Sequence, residues 1–178
     1  MRVELAHPPL DGVSLFLLTP ELVGDAYVGW LNDPVVNRYL ESRFAVHTLE
    51  STLEFVRAMY ESSDNVLLGI RSAETGGHVG NIKIGPLNRQ HGTGEIGILV
   101  GERRAWGKGI ATAAIRIMCD IARDSLELRK VTAGCYASNV GSQRAFEKAG
   151  FAVEGIRKQQ LICDGVPEDL VLLGKVLR

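Results

Sequence analysis

The stretch GERRAWGKGIATAA, Gly101–Ala114, decides how the rest of the chain is read. Two arginines, a lysine and two glycines fall within a few residues, and a helical pattern follows. A helix N-terminus leaves its first N–H groups unpaired, and the helix dipole places positive partial charge there. Gly107 and Gly109 remove side chains that would keep a ligand from the backbone. Arg103, Arg104 and Lys108 add full charges. The combination favours a pyrophosphate; the competing reading is a solvated basic turn whose glycines serve geometry alone.

Two nucleotide-binding motifs fail on this stretch. A P-loop needs G-x-x-x-x-G-K-[ST], but Glu102 occupies its first glycine and Gly109 its hydroxyl position. A dinucleotide fingerprint needs G-x-G-x-x-G/A, but Thr112 takes the third place, and the preceding strands look antiparallel.

On either side of the turn the pattern alternates between strands and helices. Strands are predicted at residues 13–18, 65–71, 78–85 and 93–100, the last two an antiparallel pair joined through 86–92. Thr19-Pro20 opens a helix, Asp33-Pro34 a short second one reaching about Leu40, and His47-Thr48 a third. Leu49, Leu53, Val56 and Tyr60 give that third helix its apolar spacing. Residues 107–124 form a helix with the stripe Ile110, Ala114, Ile117 and Ile121. A strand at 130–136, a helix at 139–149 capped by Gly150, and strands at 151–161 and 169–176 around Asp164-Gly165 complete the chain. This is one mixed α/β (α+β) domain over residues 1–178 with a helical insertion after its first strand.

Composition narrows the classes. The 178 residues suffice for one full core. A formal net charge of −1 argues against a nucleic-acid partner held by a global basic field. Cys119, Cys135 and Cys163 form no C-x-x-C pair, so no metal site is expected; an odd number of small thiols suits a reducing compartment. No charged-then-apolar leader opens the sequence, and no apolar run approaches the ~18 residues of a membrane span. The expectation is a cytoplasmic protein with no membrane partner, monomeric or homodimeric.

With a strand before it, Arg104-Ala105-Trp106-Gly107-Lys108-Gly109 resembles the R/Q-x-x-G-x-G/A signature of the GNAT acetyltransferase superfamily. Downstream, ASNVGSQRAFEKAGF, Ala137–Phe151, is similar to that family's N-x-x-S-x-x-x-[YF]-E-K-x-G-F segment. The two motifs occur in the family's order, and the element order fits across nearly the whole chain. WGKGIAT and the helical insertion most resemble the ribosomal-protein N-terminal acetyltransferase (Rim) type.

The resemblance implies a GNAT fold: a central, mostly antiparallel mixed sheet, flanked by helices and splayed between strands four and five. Acetyl-CoA would lie in the splay. Its pantetheine would pair with the backbone of Ile98, Leu99 and Val100, and its pyrophosphate would sit on Arg103, Arg104, Trp106, Gly107, Lys108 and Gly109 with Ile110 and Ala111. Asn139 matches the position that bonds the pantetheine amide, although an N-cap role competes. Ser142 and Phe146 complete the implied cofactor set.

The implied reaction transfers acetyl directly from the thioester to a primary amine. Candidates for the base are Glu95, His78 and His91; a half-exposed strand glutamate pairing with Lys83 is the bland alternative for Glu95, and solvated loop side chains that for the histidines. Asn81, polar within an apolar strand, would line the acceptor pocket but cannot act as a base. Many family members carry a tyrosine where this chain has Phe146, which cannot donate a proton, so Tyr136 and Ser142 are the candidate acids. Arg38, Tyr39, Arg43, Phe44 and His47 of the insertion mix stacking and anion-binding groups. They suit a nucleotide-linked amino sugar, with a peptide N-terminus as the alternative acceptor. A CoA-binding module without catalysis and an interaction domain that keeps only the fold are the non-enzymatic alternatives.

Overall fold

The computed structural model describes residues 7–178. The single-domain assignment and the reading of the amino-terminal end extend to residues 1–6, which lie outside the described residues. Seven strands form one sheet: β1 (Val13–Leu17), β2 (Val66–Ser72), β3 (Gly77–Ile84), β4 (Thr93–Val100), β5 (Lys130–Tyr136), β6 (Ala152–Cys163) and β7 (Val166–Val176). Their order is β1-β2-β3-β4-β5-β7-β6. Every pairing is antiparallel except β4 with β5. That parallel pairing covers only Thr93↔Lys130, Gly94↔Val131 and Glu95↔Thr132. Beyond Glu95 the strands separate, and this is the expected splay.

Four helices cover the sheet: α1 (Asp25–Asn32), α2 (Leu49–Glu61), α3 (Ile110–Asp124) and α4 (Val140–Lys148). Helices α3 and α4 bury one face in a cluster that includes Ile82, Ile96, Ile117, Val131, Phe146 and Leu173. The predicted α3 stripe is wholly buried, with Ile110, Ala114, Ile117 and Ile121 at 0–4% exposure. Helices α1 and α2 cover the other face around Tyr27, Trp30, Leu31, Val56 and Leu67. Among the described residues no helix is long and apolar enough to cross a membrane.

Several boundaries depart from the sequence reading for local reasons. Thr19-Pro20 opens a single 3-10 turn (Pro20–Leu22), and α1 begins after Gly24. Asp33 ends α1; its carboxylate accepts from the Val35 N–H at 2.8 Å in the manner of an N-cap, but the turn it opens ends with the Asn37 N–H to Asp33 O bond and no helix follows. The insertion then holds only a 3-10 turn at Glu41–Phe44. Thr48 does cap α2, in a reciprocal box with Ser51. The buried side of α2 is Thr52 and Val56 rather than Leu49 and Tyr60. Thr52 can be buried because its hydroxyl donates to the Thr48 carbonyl at 2.8 Å. Helix α3 starts at Ile110, not at Gly107, because Gly107 (φ +74°) and Gly109 (φ +78°) are left-handed and cannot continue a right-handed helix.

Candidate active site

The splay creates a groove of about 890 Å³, walled by β4, the turn before α3, α4 and the insertion. Alternation along the β3–β4 ladder decides which peptide groups of β4 reach it. Gly85 N–H donates to Glu95 O and Gly101 N–H to Val79 O, so Gly97 and Leu99, in step with them, commit their backbone groups to β3. Ile98 and Val100 turn theirs toward the splay. The expectation for Leu99 is corrected accordingly: its side chain lines the groove, but its peptide groups are already paired.

At the end of β4, the Trp106 indole N–H donates to Val100 O at 2.7 Å. This bond closes the chain around the 3-10 turn Arg103–Ala105 and fixes the start of α3 against the strand. Gly109 is the N-cap of α3 and supplies no side-chain cap, and the first helical bond runs from Ala113 N–H to Gly109 O. The N–H groups of Ile110, Ala111 and Thr112 therefore have no helical acceptor. A Cβ built on Gly107 or Gly109 meets nothing within 4 Å, and both glycines line the groove with Trp106, Ile110, Ala111 and Thr112. Open space, free donors and the positive end of a helix fit a pyrophosphate.

The basic residues of the turn are placed differently from the expectation. The Lys108 ammonium bonds Glu74 at 2.6 Å, and Arg103 stands 4.0 Å from Asp33. Arg104 is exposed, and its guanidinium has no partner among the described residues. None of the three lines the groove; Arg144 and Lys148 of α4 do. Their spacing of four residues beside Ser142 is the signal that sequence reasoning passed over.

Asn139 combines its two expected roles. Its Oδ1 accepts from Ser142 N–H at 3.2 Å and caps α4, leaving Nδ2 free at the groove. The Ser142 side chain lines the groove as well. Phe146 does not: it is 2% exposed in the core and packs edge-on against Phe151, with ring centroids 5.0 Å apart. The helical face that presents Gly141, Ser142 and Ala145 to the groove turns Phe146 toward the core, so the expectation that it contacts cofactor is corrected.

A second cavity, of about 440 Å³, opens between α1, α2, the insertion and the same face of the sheet. It shares Leu40, Ile98 and Leu99 with the groove. Asn81 lines it, as expected, and is 4% exposed. Tyr27 and Lys83, which sequence reasoning missed, line it too. His78 is not a solvated loop side chain. It packs edge-on against Phe16 and Trp30, and its Nε2 lies 2.9 Å from both Gly80 O and Asn81 Oδ1. Two acceptors on one ring nitrogen require Nε2 to carry the hydrogen. Burial pushes the Tyr27 phenol up to about 12, and the adjoining Asn81 amide pulls it the other way. That contact falls short of hydrogen-bond geometry, and the buried Asn81 Nδ2 has no hydrogen-bond partner among the described residues.

Glu95 lies exposed on the sheet face that carries Gly97 and Leu99. Its carboxylate approaches within 3.9 Å of the point where a Cβ on Gly134 would stand. It makes no ion pair among the described residues, with Lys83 or otherwise. His91 is exposed, away from both cavities.

Tyr136 and Arg43 are corrections. The Tyr136 hydroxyl donates to Glu41 Oε1 at 2.5 Å and accepts from Arg43 Nη1 at 2.9 Å. Burial and the Glu41 carboxylate raise its pKa, and it lines neither cavity, which leaves Tyr136 poorly placed as an acid. Arg43 also donates to Leu40 O at 2.8 Å and Ile162 O at 2.7 Å. Its guanidinium binds the insertion to β5 and β6 rather than waiting for an anion. Phe44 is 74% exposed beneath it, 4.2 Å from guanidinium to ring centroid, and lines neither cavity. Arg38, paired with Asp164 at 2.8 Å, and Tyr39 line the cofactor groove, not the second cavity. His47 lines the second cavity, with Nε2 bonded to Ser42 O at 2.9 Å. Among the described residues no group of three or more His, Cys, Asp or Glu is placed to hold a metal ion.

Residues 14–152 match the acetyltransferase (GNAT) domain model, and the chain belongs to that family. It is an acyltransferase whose acetyl donor is acetyl-CoA. An uncharacterized N-acetyltransferase of Bacillus subtilis, YoaA, is 27% identical over 89% of this chain and 90% of its own. YjcK, a probable N-acetyltransferase of the same organism, is 46% identical, but over only 35% of each chain. A putative ribosomal N-acetyltransferase, YdaF, is 34% identical over 52% of this chain and 50% of its own. Among solved structures, a spermidine N-acetyltransferase from Vibrio cholerae with CoA and spermine superposes with a TM-score of 0.81 at 18% identity, covering 94% of this chain and 97% of its own. The microcin C7 self-immunity acetyltransferase MccE, with acetyl-CoA and AMP, gives 0.79 at 21% identity over 94% and 93%. At these identities the likeness shows the fold.

Proposed function

We propose that this protein acetylates a small primary amine, with acetyl-CoA in the groove and the amine in the second cavity. The observation that carries the reading is the junction. The two cavities meet at Leu40, Ile98 and Leu99, beside the segment of β4 whose peptide groups face the splay. Bound acetyl-CoA supplies a thioester, whose C–S bond is exchanged for a C–N bond to the amine with net release of one proton from the ammonium.

The chain's own residues divide the work around that junction. Gly107, Gly109 and the first turn of α3 would hold the pyrophosphate. Arg144 and Lys148 add charge along the groove, and Asn139 Nδ2 can donate to a pantetheine carbonyl. The N–H groups of Ile98 and Val100 are preorganised donors for the oxygen that becomes negative during transfer. Ser142, whose hydroxyl makes no bond among the described residues, is the groove residue able to return a proton. Glu95, on the acceptor face, is the carboxylate able to draw a proton from the amine through water.

A nucleotide-linked amino sugar loses its anchor, because Arg43 is bonded within the fold and Phe44 lies outside the cavity. A peptide N-terminus, which the partial likeness to YdaF suggests and which would place the chain in the Rim-like branch, enters the same cavity through its first residue. The buried, unpaired Cys119, Cys135 and Cys163 support a cytoplasmic setting. We read the chain as one domain working as a monomer or homodimer. The test is thiol release from acetyl-CoA on adding primary amines, with the acetylated product identified by mass. Binding of acetyl-CoA without thiol release for any amine class would overturn the enzymatic reading.

A further inference from the structure

The acceptor cavity offers hydrogen-bond donors that no described residue receives. Lys83 is half-buried on its wall, and its ammonium makes no ion pair among the described residues. Among the described residues no aspartate or glutamate lines the cavity. Among the described residues the Tyr27 hydroxyl donates to none, and Asn81 Nδ2 behind it is buried without a hydrogen-bond partner. Of the cavity's other polar side chains, Thr52 donates to the Thr48 carbonyl, His47 bonds the Ser42 carbonyl and Ser51 closes the α2 cap, while the exposed Ser42 hydroxyl makes no bond among the described residues. The rest of the wall is largely apolar.

An unpaired buried donor is destabilising. A ligand oxygen placed among these donors would offset that. A second cationic group would meet only Lys83 and His47. The size of the cavity suits a small molecule.

We propose that the acceptor is a compact primary amine whose apolar body carries a carboxylate or carbonyl oxygen: an α-amino acid or α-amino amide with a large apolar side chain, its oxygen received by Lys83 and Tyr27. Asn81 acts as a positioning residue. His78 Nε2–H holds its Oδ1, which turns its N–H2 toward the Tyr27 oxygen and leaves the phenol proton for the ligand. This inference rests on the reading of the second cavity as the acceptor site of an N-acetyltransferase.

The experiment measures thiol release by the full-length protein with phenylalanine, leucine, their amides, phenethylamine (which lacks the oxygen), and spermidine. Phenylalanine or its amide should exceed phenethylamine in kcat/KM by at least about tenfold, with spermidine lowest. If the natural group is a carboxylate, Lys83→Met should lower the phenylalanine-to-phenethylamine ratio about tenfold, and Lys83→Arg should restore part of it. If it is a carbonyl, the amide should be the better substrate and Tyr27→Phe should lower its ratio instead. Acetyl-CoA affinity, measured by calorimetry, should stay at the wild-type value and reports that each variant is folded. Phenethylamine or spermidine turning over as well as the amino acids and amides would overturn the acceptor class while leaving the acetyltransferase reading intact. Acetyl-CoA binding with no turnover of any amine would overturn both.

Discussion

Replacing Arg43 separates a structural role from a substrate-binding one. Its guanidinium donates to Leu40 O, the Tyr136 hydroxyl and Ile162 O at 2.7–2.9 Å, and its side chain is 12% exposed. Bonds from a charged donor contribute about 1.5–3 kcal/mol when well buried; here one side opens to solvent, so ~1 kcal/mol each is the better scale, about 3 kcal/mol in all. The Glu41 pair at 3.9 Å adds little. For a chain of this size ~1 kcal/mol moves the melting temperature by about 2–4 °C, so Arg43→Ala should melt about 6–12 °C lower. Arg43→Lys keeps the charge but not the fork that reaches three oxygens, and should recover less than half of the loss. Thermal melts followed by circular dichroism, alongside acceptor KM, make the comparison. An anion-binding arginine would behave in the opposite way. Arg43→Ala melting within about 2 °C of wild type, with a raised acceptor KM that lysine restores, would refute the structural assignment.

Gly109→Val places a β-branched residue at φ +78° and a side chain in the open space before α3. The left-handed backbone costs roughly 1–2 kcal/mol, and acetyl-CoA affinity by calorimetry should fall at least about tenfold; native affinity in a folded variant would count against the pyrophosphate site. Glu95→Gln should lower kcat/KM by about ten- to a hundredfold and be partly rescued at high pH, where more of the amine is already deprotonated, with acetyl-CoA affinity unchanged. Wild-type rates at every pH would remove Glu95 from the mechanism. Burial pushes Cys119 and Cys135 up to about 11 and Tyr27 up to about 12. The unfolded chain therefore loses these protons first, and stability should be full below pH ~9 and decline as pH rises through 9–12. Denaturation midpoints that stay flat across that window would contradict the burial of these groups.

The strands and the α3 stripe were legible because strand alternation and helix periodicity are strong local signals; the splay came only with the family resemblance carried by Arg104–Gly109 and Ala137–Phe151. Thr93–Val100 and Lys130–Tyr136 appear with the predicted bounds. The insertion was misread because its order comes from distant partners. Arg43 looked like an anion site in sequence, yet its acceptors are Tyr136 and Ile162, about a hundred residues away. Lys108 and Arg103 looked free for the same reason; Glu74 and Asp33 come from other elements. Phe146 was displaced by the direction of a helix face, which a motif does not encode. Tyr27 and Lys83 were missed because a tyrosine in an amphipathic helix and a lysine in a strand carry no local mark of a cavity between them.

The two halves of the sheet share three ladder positions and then part, yet one continuous core lies beneath both, joining Ile82 and Ile96 to Val131, Ala133 and Leu173. The seam is thus clamped along one face and open along the other, like a book held by its spine. Its angle is set by the volume of side chains such as Phe146 and Phe151 under the hinge, not by whatever lies between the pages. Substitutions that thin or thicken that spine should retune cofactor residence time and acceptor choice together, although none of the altered atoms touches either molecule.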